Sequence, residues 1–271
     1  IREVDAIAHV VRCFENEDVA HIEGQVDPVA DVETINTELM LADIDSIERR
    51  LQGLSRKVRG GDKEAVQQER LLKKALSYLE EGKPARQAMV DEEDANAWKS
   101  LQLLTTKPVL FVCNVGETEA ADGNEYSAKV DAIALEEGAV TVIISAQIEE
   151  EISQLDPEEA AIFLNDMGIT ETGLDRLIRA GYALLQLETY FTVGPKEARA
   201  WTISKGTLAP KAAGVIHGDF ERGFIRAETI SFADFIALNG EQGAKEAGKM
   251  RIEGKAYQVK DGDILHFLFN T

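Results

Sequence analysis

Asn114 and Glu117 close an apolar run, Val109-Leu110-Phe111-Val112-Cys113, that follows Lys107-Pro108, and are the first side chains in this sequence placed to meet a ligand. Apolar residues in a row after a proline, Val and Phe among them, predict a strand buried on both faces. In a parallel sheet, ligands bind beyond the carboxyl ends of the strands, where this polar pair stands. About thirty residues on, a second run, Ala139-Val140-Thr141-Val142-Ile143-Ile144, ends in Ser145-Ala146, with a helical stretch between. The two runs form one βαβ unit with polar tips at the same edge. Asn114 also has a plainer reading, as a turn former that ends its strand.

The other candidates are fewer. His21 lies in an acidic, Gly24-containing loop from Glu15 to Pro28. There it is either a solvated side chain or a group, ionising near neutrality, that orients water or takes its proton. His9 sits inside a strand and reads as structural, and His217 and His266 have no partner pattern for metal or triad chemistry. Cys13 and Cys113, the only two cysteines, both fall in apolar runs and read as buried reduced thiols.

The elements that must position these groups follow from periodicity. Val4 to Phe14 reads as a strand. From Asp31 to Val58 the pattern is helical, and Ile44, Ile47, Leu51, Leu54 and Val58 step by three and four, a coiled-coil seam. Gly60-Gly61-Asp62 breaks it and offers an N-cap, a second helix runs to about Glu80 with Leu72, Ala75, Leu76 and Leu79 on one side, and Gly82-Lys83-Pro84 stops it. Asp91 to Leu104 reads as a further helix, and Gly173 to Leu185 as a cleaner one. Thr189–Val193 and Glu197–Ile203 read as a hairpin through Gly194-Pro195, Ala212–Phe220 as a short helix, and Tyr257–Val259 and Leu265–Phe269 as strands. Trp201, Phe220 and Phe224 read as core.

Taken together, strand–Asn-x-x-acid and strand–Ser-Ala resemble the fourth and fifth base-reading motifs of a GTPase-like domain. Where GTPases have Asn-Lys-x-Asp, this chain has Val115 for the Lys and Glu117 for the Asp. With the flanking Val10-Val11-Arg12-Cys13-Phe14-Glu15-Asn16, Leu177-Ile178-Arg179-Ala180-Gly181-Tyr182 and the segment Gly240–Met250, the whole chain resembles the YchF (Obg-like) ATPases. The resemblance implies an α/β fold: an incomplete P-loop NTPase domain (1–31 and 105–163), an inserted antiparallel coiled-coil hairpin (32–104), connecting helices (164–185) and a C-terminal TGS, or β-grasp, domain (186–271). It implies ATP as ligand, bound through Asn114, Val115, Glu117, Ser145 and Ala146, and His21 as the group acting on water near the γ-phosphate. No Gly-x-x-x-x-Gly-Lys-Ser/Thr occurs. The expectation is therefore that the phosphate loop and the Mg2+ ligands belong to an N-terminal region preceding this chain.

Charge sharpens the partner question. The net charge is −20 over 271 residues. Residues 38–82 carry nine basic and nine acidic side chains and residues 187–271 eleven of each, so the excess lies elsewhere. A uniformly acidic protein would repel nucleic acid; here a ribosomal or RNA partner fits the hairpin and the C-terminal domain. Arg49, Arg50, Arg56, Lys57 and Arg59 are expected to gather toward the hairpin tip. A monomeric, cytoplasmic protein without a membrane span is expected. The alternative is a non-catalytic module in which hairpin and TGS domain bind RNA or protein.

Overall fold

Residues 2–16 and 26–270 are described by the computed structural model, which divides into two units, Ile1–Leu184 and Leu185–Thr271. His21 lies outside the described residues. In the first unit, strands β1 (Ile7–Arg12), β2 (Val109–Asn114) and β3 (Val140–Ile144) form a parallel sheet in that order. β2 is central and buried from Val109 to Cys113, which accounts for its continuous apolar run. Val109, Phe111 and Cys113 pack on one face with Val11, Cys13, Val130 and Ala134. Leu110 and Val112 pack on the other with Val142. Each buried Val, Leu or Phe among them contributes about 1.5–3 kcal/mol. β1 is shorter than its apolar text suggests, and among the described residues one of its edges is unpaired, with Val10 64% exposed.

Between β1 and β2 rises a helical pair. Asp27 caps α1 (Pro28–Arg59) by accepting from the N–H groups of Val29 and Ala30, and Pro28 supplies the first helical position. At 32 residues α1 is about 48 Å long. Gly61, at φ +78°, turns the chain, and Asp62 caps α2 (Lys63–Glu80). Ile47 meets Leu71, Leu72, Ala75 and Leu79 in a dry seam, with Ile44, Leu51 and Leu54 half-buried along it. The root of the pair is closed by Asp43, fully buried, whose carboxylate accepts from Leu104 N–H (3.0 Å), Thr105 N–H (2.8 Å), Thr105 Oγ1 (2.8 Å) and Arg2 Nη1 (3.1 Å).

The expected helix from Asp91 to Leu104 is instead broken: a 3-10 turn (Glu92–Asp94), a short α3 (Ala95–Ser100) and a second 3-10 turn (Leu104–Thr106). Asp94 is drawn out of helical use by Gln67 Nε2 (2.7 Å) and Arg70 Nη2 (2.5 Å), which pin it to α2. The basic cluster also separates. Arg49 pairs with Asp45 and Arg50 donates to the Leu101 carbonyl at 2.7 Å, back toward the root, leaving Arg56, Lys57 and Arg59 in the last turn of α1.

α4 (Glu125–Glu137) returns the chain from β2 to β3. Beyond β3 follow α5 (Ala146–Ile152), α6 (Pro157–Asp166) and α7 (Gly173–Leu184). Leu177, Ala180 and Leu184 of α7 cover the second face of the sheet.

The second unit is a mixed five-stranded sheet. Its strands β4 (Leu187–Val193), β5 (Ala198–Ser204), β6 (Phe224–Ser231), β7 (Arg251–Glu253) and β8 (Asp263–Phe269) lie in the order β5-β4-β8-β6-β7. Its first and last strands, β4 and β8, are parallel neighbours, and the other pairs are antiparallel. Helices α8 (Ala209–Ile216) and α9 (Gly218–Arg222) occupy the stretch read as one helix. His217, extended between them, breaks it and caps α9 through its ring. Tyr190, fully buried, donates to the Ala212 carbonyl at 2.9 Å and fastens the sheet to α8. Phe224 is core, with Trp201 and Phe220 packed half-buried against it. Two short helices, α10 (Phe232–Ala237) and α11 (Glu241–Glu246), fill the crossing from β6 to β7. β6 and β7 were not expected, whereas Tyr257–Val259 makes only a single bridge, Leu208 to Gln258.

Candidate functional site

The carboxyl ends of β1 and β2 and the start of α5 frame a cleft of about 1180 Å³. Register places the ends together: Arg12 lies opposite Asn114, and Asn114 opposite Ile144. Cys13 N–H donates to the Asn114 carbonyl (2.8 Å) and Val115 N–H to the Ile144 carbonyl (2.8 Å), so the three strand exits move as one frame.

Within that frame Asn114 turns its side chain across to the third strand. Its Oδ1 accepts the Ala146 N–H at 2.9 Å. An N–H requires an acceptor, so this bond fixes the amide orientation and leaves Nδ2 as a donor pair. Among the described residues Nδ2 donates to nothing. Asn114, Val115, Gly116 and Ala146 all line the cleft. Ser145 does not: it is 2% exposed behind them, and its Oγ has no hydrogen-bond partner among the described residues. Glu117 is half-buried at the start of a 3-10 turn (Glu117–Glu119) and is not among the lining residues, whereas Glu119 is. The structure thus gathers Asn114, Val115 and Ala146, sets Ser145 behind them and Glu117 to one side.

Asn124 and Tyr126, which line the cleft, and Arg12, at the exit of β1, have no part in the base motif. Asn124 heads α4 in a capping box: its Oδ1 accepts from Tyr126 and Ser127 N–H (3.0 Å each), and Ser127 Oγ accepts from Asn124 N–H (2.9 Å). Its Nδ2 reaches the Cys13 carbonyl at 2.7 Å. Arg12 folds over the Phe14 ring at 4.8 Å and donates to the carbonyls of Phe14 and Asn16, both 3.1 Å. Tyr126 donates to Glu15 at 2.5 Å, and that bond raises the phenol's pKa. The Asn-x-x-Ser spacing of 124–127 was a usable signal; the long-range bonds had none.

Behind the cleft, Cys13 and Cys113 are buried, free and hydrogen-bonded to each other; that bond and burial push the Cys113 thiol up. Glu149 of α5 caps α7 by accepting from Gly173 N–H (2.6 Å) and Leu174 N–H (3.1 Å). Gly173 has no room for a side chain, because a Cβ would lie 2.8 Å from Ile144 Cγ2. Among the described residues no group of three His, Cys, Asp or Glu side chains is arranged to hold a metal ion, and no helix is long and apolar enough to cross a membrane.

A parallel α/β sheet with its cleft at the strand exits, a long helical pair and a mixed-sheet second unit define the class: a mixed α/β protein with an open cleft at the carboxyl edge of its parallel sheet. The YchF-GTPase_C family, described as "Protein of unknown function (DUF933)", matches residues 187–270. The "Ribosome-binding ATPase YchF" of Haemophilus influenzae is 56% identical over 271 residues, covering all of this chain and 74% of that protein. The protein of the same name from Bacillus subtilis is 52% identical over 273 residues, covering all of this chain and 75% of its own. Among solved structures, "Structure of the Schizosaccharomyces pombe YchF GTPase" superposes with a TM-score of 0.82 at 35% identity, over 98% of this chain and 73% of that one. The chain belongs to the YchF family.

Proposed function

We propose that this protein binds and hydrolyses ATP and acts at the ribosome, in the cytoplasm, with the base held in the cleft beyond β1 and β2. The bacterial relatives are named as ribosome-binding ATPases, while the fission yeast structure is titled a GTPase, so the names alone do not choose the base. One observation carries the choice: the Ala146 N–H is already engaged by Asn114 Oδ1. Guanine presents two acceptors, N7 and O6, along the edge where adenine presents an acceptor and a donor, N7 and the N6 amine. With the Ala146 donor occupied, Asn114 Nδ2 is the donor left in the frame for guanine's two acceptors, and leaving one of them unpaired costs about 1–3 kcal/mol.

In this reading Asn114, Val115 and Ala146 meet the base and Ser145 braces them from behind. Glu117 shapes the turn beside it, and His21 orients water for hydrolysis. Residues 1–31 and 105–163 form the P-loop NTPase-type nucleotide domain, 32–104 its helical insertion, 164–185 the connection and 186–271 the TGS domain. The unpaired edge of β1 at Val10 is where the family's phosphate-binding part would add. Magnesium belongs with that part, where it would neutralise phosphate charge. The hairpin tip and the C-terminal unit meet the ribosome or RNA. Supporting this, Arg56 and Lys57 form no ion pair among the described residues, and the same exposed cations favour the alternative of a pure interaction module. Steady-state ATP turnover by the full-length protein separates the two. Turnover abolished by replacing the phosphate-loop lysine supports the enzyme, and no turnover with or without ribosomes leaves the module.

A further inference from the structure

Glu119 is the group in the cleft whose position nothing in the frame explains. Its carboxylate folds back over Gly116, so that a Cβ at residue 116 would lie 2.5 Å from Oε2. Glu119 lines the cleft, as Asn114 does, and among the described residues its carboxylate has no hydrogen-bond or ion-pair partner. Glycine at 116 is what lets the carboxylate lie against residue 116, two positions beyond Asn114 in the same turn. The cleft therefore carries an amide donor on Asn114 and a carboxylate acceptor on Glu119, both lining it.

We propose that Glu119, paired with Asn114 Nδ2, is the residue that reads the N6 amine of adenine. This rests on the adenine-nucleotide reading of the cleft. A purine edge with an acceptor at N7 and a donor at N6 matches an amide N–H beside a carboxylate; guanine, with acceptors at both places, sets O6 against a negative charge. Glu119 is thus a specificity residue, distinct from Glu117 of the base motif.

The experiment compares ATP, GTP and purine riboside 5′-triphosphate, which lacks the 6-amino group, by competition binding to the full-length protein. Wild type, Glu119→Ala, Glu119→Gln and Glu117→Ala are run together. The expected result is that wild type prefers ATP to the purine analogue by about tenfold, about 1.4 kcal/mol. Glu119→Ala erases that preference without weakening the analogue. Glu119→Gln, which keeps an acceptor, retains most of it. An equal loss for ATP and analogue in Glu119→Ala overturns the assignment, because a fold or general-affinity defect does not depend on the amine. So does an ATP preference that survives Glu119→Ala but falls with Glu117→Ala. Wild-type binding that favours GTP fails earlier and removes the adenine reading itself, whereas an ATP preference indifferent to Glu119 removes only this assignment.

Discussion

Asn124 joins two parts of the site with one amide: its Oδ1 caps α4, and its Nδ2 holds the Cys13 carbonyl at the exit of β1. Asn124→Ala is expected to lower stability by about 1–2 kcal/mol, the usual cost of a lost cap. It should also weaken ATP binding, since the Cys13–Asn16 wall loses its tether. Urea denaturation together with nucleotide titration checks both. For His21→Ala in the full-length protein the expectation is slower turnover with ATP affinity nearly unchanged, because the proposed role of His21 is on water and not on the base. Single-turnover kinetics beside equilibrium binding reads this directly. His9 gives a pH signature. Burial against Phe111 lowers its pKa, with Asp31 and Glu137 opposing, so the folded protein prefers it neutral. The sign follows: between its folded and unfolded pKa values the unfolded chain binds more protons, so stability falls as pH drops below about 6.5. His9→Gln should flatten that part of a stability-against-pH curve; an unchanged slope assigns the acid loss to other groups. At this scale the sequence displayed Asn114 and Ala146, because strand ends are marked by abrupt changes of residue type. It did not display Glu119, whose place depends on how a short turn folds over a glycine.

At the scale of elements, the helical pair shows what periodicity can and cannot convey. The steps of three and four marked the seam, and Ile47 and Leu72 lie in it fully buried. Position along the helix was misjudged: Arg50 and Arg59 are about 14 Å apart at 1.5 Å per residue, and Arg50 faces the root. The tip prediction is accordingly narrower. If the tip meets phosphates, Arg56, Lys57 and Arg59 together to Gln should weaken ribosome or RNA binding. They should also flatten its log–log salt dependence by about 0.7–0.9 for each phosphate no longer neutralised. Weaker binding with an unchanged slope would mean that the tip meets protein instead. At the root, Asp43→Ala strands two buried N–H groups and a hydroxyl, and a loss of about 3 kcal/mol is expected from chemical denaturation. That node was invisible in the sequence, since Asp43 and Thr105 are 62 residues apart. β6 escaped for another reason: Phe-Ile-Arg-Ala-Glu-Thr-Ile-Ser mixes polar and small residues, and pairing with β7 and β8, not apolar alternation, makes it a strand.

Across the whole molecule, acidity and chemistry are divided. The excess negative charge falls outside 38–82 and 187–271, leaving the hairpin and the second unit neutral overall. Glu15, Glu119, Glu125, Glu150 and Glu151 all line the cleft, against one lysine, Lys129. Such a cleft suits a base edge carrying a donor and repels a triphosphate, so the phosphates need backbone donors from elsewhere. The 271-residue chain alone is therefore expected to show no micromolar ATP binding by calorimetry. The fold class and family were legible in the sequence because the base motif and its flanks recur together. The expectation of ATP was legible too, through Val115 and Glu117 in place of the guanine-reading residues, whereas the bond from the Ala146 N–H to Asn114 Oδ1 was not. Competition of ATP against GTP for the full-length protein tests that expectation most directly. An ATP preference of tenfold or more, about 1.4 kcal/mol, is predicted, and GTP binding as tight as ATP or tighter would contradict it.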